Sequence, residues 1–322
     1  MELDISVHKG STDRPVVIFI HGLGMDKHFW LDPVNTHVLG KSIPMKAFAA
    51  SRPRPGAIQR GNKYTIGNVP DNIHNLWSAL RDQGFNLVCW SQRRPVGPIH
   101  TAVEELEEIT RLISRIFHRK SLALVCHSRG GLIARKFMEK KCSGIKALIT
   151  LCTPHRGSSL SVMGSYLSPL PAFFKKILPG DMHGTVADVI KRAGNLIEGP
   201  ALKELTPGSD FFRKLKDTPQ RGIHYLSFGG RKTALVTVYK WKRIEGTFYP
   251  RPVIVIPDSV LKIVPASIIP DEIRDGKGDF MVTAKSSVLP WAERHYTLRA
   301  NHISITWNRN VITHVRETLE TL

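Results

Sequence analysis

The chain of 322 residues lacks the features that mark several classes of protein. It has four cysteines and no CxxC pair, so no zinc or redox motif is present, and we predict neither metal nor cofactor. Cys89, Cys126 and Cys152 lie in or beside apolar runs, which favours free buried thiols. No run reaches the ~18 apolar residues of a membrane span, and residues 1–15 do not resemble a signal peptide. We therefore expect a soluble, cytoplasmic protein.

Acidic residues are scarce relative to basic ones. The chain has 27 Asp and Glu against 46 Lys and Arg, a formal net charge of +19, with the densest basic clusters in residues 135–141 and 231–243. Such a surplus is compatible with nucleic acid, an anionic membrane surface or acidic substrates. Because no nucleic-acid motif is present, we favour a solvated basic surface, expect no nucleic acid, and leave peripheral contact with an anionic membrane open. The sequence leaves the oligomeric state open.

Short apolar runs alternate with segments of helical periodicity. This alternation predicts an α/β fold with a mostly parallel central sheet and helices on both faces. Thr101 and Glu104 have the spacing of a capping box at the start of the second helix. The many Pro, Gly and Arg residues in 52–68 predict an extended loop. The predicted strands are 16–20, 86–90, 122–126, 145–152, 223–228 and 296–298, and the predicted helices are 71–82, 101–117, 131–141 and 307–319.

The sharpest motif is Cys126-His-Ser-Arg-Gly-Gly131, between a predicted buried strand and a predicted helix. This is the context of a nucleophile elbow, a strained turn that lifts a serine hydroxyl above the sheet edge. The usual pattern is G-x-S-x-G, and Cys126 replaces its first glycine here. The alternative is an ordinary turn that contains a serine by chance. We predict Ser128 as the nucleophile.

A serine nucleophile needs a histidine base, which follows it in this chain order. His302 lies just after the last predicted strand, at a strand end where ligands bind in open α/β sheets. His295 lies in or beside a strand and His314 on a helix, which favours structural roles. The histidines that follow the predicted nucleophile are His155, His183, His224, His295, His302 and His314.

The acid that orients the base should come from a cluster just before the last strand. Asp279 follows a glycine turn and precedes an apolar run that could fix it, so spacing favours it weakly over Asp275. The cluster comprises Asp271, Glu272, Asp275 and Asp279.

The oxyanion hole needs two backbone donors. The N–H of Arg129 follows the nucleophile, and the N–H of Leu23 lies in a glycine loop, for which a simple turn is the alternative.

With these blocks in place, the chain resembles the α/β-hydrolase lipases, in particular the bacterial triacylglycerol lipases. The likeness is carried by residues 19–24, 125–135, 150–158 and 278–282 together with Asn301-His302, and the block Thr153-Pro-His-Arg-Gly-Ser158 is its most specific part. The resemblance implies a triad of Ser128, Asp279 and His302, and it selects Asp279 over its neighbours. It implies Leu23 and Arg129 as oxyanion donors.

The resemblance implies hydrolysis of carboxylic esters, either acyl esters or lipids, through an acyl-enzyme. An acyltransferase using the same triad and a catalytically dead binding protein with a basic surface are the alternatives. The resemblance also implies a mobile helical lid at residues 160–220, with a fixed cap as the alternative, and residues 1–159 and 221–322 forming the core. An irregular stretch with its own apolar runs predicts a second insertion within the core at residues 231–270. Ser304 stands where these lipases often have a calcium-binding aspartate, so we predict no calcium site. Lys285 stands where they have a disulfide cysteine.

Overall fold

A computed structural model describes residues 3–11, 13–38, 43–45, 52–56, 64–67, 73–118, 121–140, 144–159, 200–261 and 269–322. Its centre is a seven-stranded sheet with the strand order β1-β6-β2-β7-β8-β9-β12. Numbered along the chain, these strands are β1 Asp4–His8, β2 Val16–Ile20, β6 Asn86–Ser91, β7 Leu122–His127, β8 Ile145–Leu151, β9 His224–Gly230 and β12 Arg294–Leu298.

Within this sheet every neighbouring pair is parallel except β1 and β6. The central strands β2 and β7 are buried along their whole length, as expected for a parallel sheet covered on both faces. The mostly parallel sheet predicted from the sequence is thus confirmed. Strand β1 was not predicted, because its polar, half-exposed residues at a sheet edge give no apolar pattern.

Helices cover both faces of the sheet. Apolar residues of α2 and α8 form one core cluster with Val17 and Phe19 of β2, and those of α3 and α4 form a second with Val16, Ile18 and Ile20. Alternate residues of one strand therefore serve opposite layers. The helices are α1 His28–Leu31, α2 Leu76–Asp82, α3 Ile99–Ile116, α4 Arg129–Phe137, α5 Pro200–Leu205, α6 Asp210–Lys214, α7 Asp258–Leu261 and α8 Arg309–Glu320.

Two local predictions are wrong. Helix α3 begins at Ile99 after Pro98, which makes no side-chain cap, so Thr101 lies within the first turn and forms no capping box. Residues 64–66 form a strand, β5 (Tyr64–Ile66), within the range predicted as a loop. This strand pairs with a segment far along the chain, so local composition does not reveal it.

β5 belongs to a three-stranded sheet whose other two strands lie within residues 231–270, the range predicted as a second insertion. These two strands are β10 Val236–Ile244 and β11 Thr247–Ile256, and the order of the sheet is β11-β10-β5. A further short pair joins β3 His37–Val38 to β4 Ile43–Pro44.

Most of the predicted cap, residues 160–199, lies outside the described residues, so its role as a lid stays a prediction. The remainder of the range is tied to the core: Ser158 N donates to Leu205 O at 2.8 Å, and Arg135 Nε lies 2.6 Å from Asp217 Oδ2. Of the helices in the described ranges, none combines the length and apolar character needed to cross a bilayer.

Candidate active site

Ser128 stands at the sharp turn between the end of β7 and the start of α4. Its backbone has φ 54° and ψ −128°, a region that L residues rarely adopt. Such a conformation stores about 1–3 kcal/mol of strain and persists only where packing enforces it. Gly130 is part of that packing, because a Cβ there would lie 2.5 Å from the carbonyl oxygen of Ile20. The close crossing of α4 over β2 therefore depends on a residue without a side chain.

Asp279 and His302 form a buried pair at the same edge of the sheet. Nδ1 of His302 lies 3.0 Å from Oδ2 of Asp279, and both side chains are at least 95% shielded from solvent. The other carboxylate oxygen, Oδ1, accepts hydrogen bonds from the N–H groups of Met281 at 2.9 Å and Val282 at 2.7 Å. The carboxylate is therefore fixed by the backbone that follows it, and it directs one oxygen to the imidazole.

His127, the residue before Ser128, connects the elbow to the His302 loop. Its Nε2 donates to the carbonyl oxygen of His302 at 2.7 Å, and the two imidazole centroids are 4.8 Å apart. Burial, followed by the proximity of His302, lowers the pKa of His127 well below its usual range. A neutral His127 thus acts as a donor that ties the two loops together. No sequence pattern predicted a role for His127.

The loop after β2 lies directly against the elbow. A Cβ on Gly22 would be 3.0 Å from the Cβ of Ser128, so Leu23 follows at the point of closest approach. Gly24 N donates to Pro95 O at 3.0 Å and fixes the next residue. Arg129 is the first residue of α4, where backbone N–H groups have no partner within the helix. These positions suit the two predicted oxyanion donors.

The buried side chain of Arg129 forms hydrogen bonds that connect the elbow to neighbouring loops. Its Nη1 donates to Gln92 Oε1 at 2.9 Å, and Nη2 donates to the carbonyl oxygen of Gly97. Gln92 in turn donates from its backbone N to His21 Nε2 at 3.1 Å, in the loop after β2. Burial lowers the pKa of Arg129 to about 10, so the guanidinium stays charged at neutral pH. The elbow and the loop after β2 are therefore joined by one buried network.

Cys152, which follows β8, completes the surroundings of the acid. Its Sγ, the carboxylate of Asp279 and a ring nitrogen of His302 all lie within 4.8 Å of one another. These donor types could hold a metal ion such as zinc. However, burial raises the pKa of the Cys152 thiol well above its usual range, and the Asp279 oxygens already accept three hydrogen bonds. The arrangement suits a hydrogen-bonded Asp–His pair better than a metal centre.

The other candidate histidines have structural partners. His155 is buried against Thr150 and Arg135, His224 pairs with Glu293, His295 contacts Ser227, and His314 stacks on Tyr296. His183 lies outside the described residues.

The other candidate acids are occupied or exposed. Glu272 accepts hydrogen bonds from the N–H and hydroxyl of Ser159, both at 2.7 Å, and Asp271 pairs with Lys277. Asp275 is exposed. Of the carboxylates in this cluster, Asp279 is the one in contact with His302.

Neither family models nor curated proteins yield a match to this chain. Solved structures do: the mature form of the Bacillus licheniformis lipase BlEst2 aligns over 98% of this chain and 97% of its own, with 16% identity and a TM-score of 0.55. The propeptide form aligns over 99% of this chain and 53% of its own, with 18% identity and a TM-score of 0.56. The predicted α/β-hydrolase fold is therefore confirmed.

Proposed function

We propose that this protein is a serine hydrolase of carboxylic esters, with Ser128 as nucleophile, His302 as general base and Asp279 as the acid that orients it. The observation that carries the proposal is the buried Asp279–His302 pair at the edge of the sheet where Ser128 stands at a strained elbow. Strained non-glycine backbone of this kind concentrates at functional sites.

In the proposed reaction, Ser128 Oγ attacks the ester carbonyl while Nε2 of His302 takes its proton. The Nδ1–H of His302 faces Asp279, so this tautomer leaves Nε2 free of a proton to accept one. The N–H groups of Leu23 and Arg129 stabilise the oxyanion, each contributing about 2.7–4 kcal/mol. The alcohol then leaves with a proton from His302, and water hydrolyses the acyl-enzyme by the same route.

Ester hydrolysis is tested with p-nitrophenyl esters of short and long acyl chains. We expect Ser128→Ala to lower kcat by at least about 10⁴-fold, because the covalent route is removed. Ser114→Ala is the matched control, since this serine lies exposed on α3 and bonds only its own helix. Activity of Ser128→Ala close to that of the unchanged protein would refute the assignment.

Two further experiments separate the alternatives. A fluorophosphonate probe loses fluoride when a nucleophilic oxygen bonds to phosphorus, so labelling at Ser128 excludes a catalytically dead binding protein. Product analysis with a competing alcohol distinguishes hydrolysis from acyl transfer, because only a transferase gives mainly the new ester. The lid role of residues 160–220 and the cytoplasmic location stay predictions. Cell fractionation addresses the location, and the p-nitrophenyl ester series measures the acyl-chain preference.

A further inference from the structure

The three-stranded sheet presents one buried and one exposed face. Trp241, Tyr239 and Pro250 are buried. Residues at the alternate positions of the same strands point the other way. There, Lys240 lies opposite Arg251, Lys242 opposite Tyr249, and Ile244 opposite Thr247, and all but the half-buried Tyr249 are exposed. Alternate residues of β10 and β11 thus form one solvent-facing surface of the sheet.

This surface is strongly cationic. Three exposed basic side chains lie on it, Lys240, Lys242 and Arg251. Arg243 and the acidic Glu245 complete the charged residues of 236–256, and Arg243 lies at a position alternate to these three, opposite Phe248. Within the described part of the chain, none of the three cations on the face forms an ion pair with a carboxylate.

Neighbouring residues extend the positive charge. Arg52 donates from Nη2 to Pro250 O at 3.4 Å, and Gly56 N donates to Phe248 O at 2.8 Å, so residues 52–56 run beside β11. Both Arg52 and Arg54 are exposed.

Aliphatic side chains stand at the margins of the cationic area. Ile244, beside the hairpin turn, is 38% exposed, and Val253, at the bulge in β11, is 46% exposed. They are two of the four large apolar residues with marked exposure among those described. A nucleic acid would gain little from aliphatic groups in these places, whereas a lipid headgroup region accepts both cations and inserted apolar side chains.

We propose that this surface, which we call the basic sheet face (Lys240, Lys242, Arg251, Ile244 and Val253), binds the anionic surface of a phospholipid membrane. The lysines and the arginine contact the phosphate-bearing headgroups, and the two aliphatic side chains enter the headgroup layer. The chain leading into β10 is tied to the candidate active site, because Asn301 Nδ2, next to His302, donates to Ala234 O at 2.9 Å.

Membrane binding is measured independently of hydrolysis by using the full-length chain with Ser128→Ala, so that no substrate lipid is consumed. We expect it to sediment with vesicles containing about 30% phosphatidylserine at about 0.1 M NaCl, and not with pure phosphatidylcholine vesicles. Binding should fall steeply as salt is raised. Equal binding to both kinds of vesicle, or none to either, would overturn the proposal even if the enzyme hydrolyses esters.

Replacing Lys240, Lys242 and Arg251 with Gln tests the location of the site. Each basic residue near an anionic membrane contributes about fivefold in partitioning, so the triple variant should bind roughly 100-fold more weakly. The matched control removes the same charge from exposed residues elsewhere and should lose much less. It carries the substitutions Arg115→Gln, Lys146→Gln and Lys214→Gln. Equal losses in both variants would show a general charge effect and refute the assignment to this face.

Two further arms complete the test. Ile244→Ser with Val253→Ser should weaken binding by roughly tenfold while leaving its salt dependence, because apolar insertion is removed and charge is kept. A single-stranded oligonucleotide competes for the same cations. If it binds more tightly than the phosphatidylserine vesicles at equal phosphate concentration, and the triple Gln variant loses that binding, the face is a nucleic-acid site and the proposal fails.

Discussion

Asp279→Asn examines the proposed triad without changing the shape of the site. Oδ1 of residue 279 already accepts the N–H groups of Met281 and Val282, so the carbonyl oxygen of an asparagine will occupy that position. Its amide group then faces Nδ1 of His302 as a donor. The imidazole must accept there and carry its proton on Nε2, which leaves it unable to take the proton of Ser128.

The expected loss is large. The same substitution in the serine protease template lowers kcat about 10⁴-fold, and at 1.36 kcal/mol per tenfold this corresponds to about 5 kcal/mol of transition-state stabilisation. Here Asp279 is fully buried and His302 nearly so, so solvent offers the imidazole no alternative partner for Nδ1. We expect kcat for a p-nitrophenyl ester to fall by about 10³–10⁴-fold.

The assay compares Asp279→Asn with Asp275→Asn, which alters an exposed carboxylate four residues earlier. Thermal unfolding of both variants should stay close to that of the unchanged chain, because the substitution keeps size and backbone contacts. A folded Asp279→Asn variant with activity within tenfold of the unchanged protein would refute the role of Asp279, and reduced activity in Asp275→Asn alone would assign the acid to the neighbour.

Two predictions concern stability. Gly130→Ala should lower the free energy of unfolding by about 1–3 kcal/mol, because its Cβ would meet the Ile20 carbonyl oxygen at 2.5 Å. Gly144→Ala is the control, because an added Cβ there has no atom within 4 Å and meets only the strain of a φ of +93°. We expect its free energy of unfolding, measured in urea, to fall less than that of Gly130→Ala; a larger fall would contradict the close helix crossing. Burial lowers the pKa of His21 to about 4 from an unfolded value near 6.5, so stability should fall as pH drops through this window, by about 3 kcal/mol in full. His21→Gln should show a smaller loss between about pH 7 and pH 5, and an equal loss would assign the acid sensitivity to other groups.

The fold was accessible from the sequence because its signals are local. A fully buried parallel strand such as β7 is apolar along its length, and the glycines after Ser128 mark a close helix crossing. The elbow could thus be located from a few consecutive residues. Spacing alone ranked Asp279 only slightly above Asp275, and the family resemblance was needed to choose between them.

Features that depend on distant packing could not be predicted. The role of His127 as a donor to the His302 carbonyl requires two loops 175 positions apart to meet. Cys152 looked like a small core residue, and only the folded chain brings its thiol beside Asp279. Thr101 had the spacing of a helix cap, but Pro98 places the helix start earlier. In each case a tertiary contact or a stronger local constraint decided the outcome.

The sheet topology explains how distant parts of the chain meet at the candidate site. Ser128, Cys152 and His302 each come soon after the carboxyl end of a parallel strand (β7, β8 and β12), so strand order brings them to one edge although the chain separates them. The excursion after β9 leaves from and returns to the same edge, since Gly276 N donates to Arg231 O at 2.9 Å. Asp279 follows this point of return. The hydrogen bond between Gly276 and Arg231 therefore closes residues 231–276 into a loop just before the chain reaches the Asp279–His302 pair.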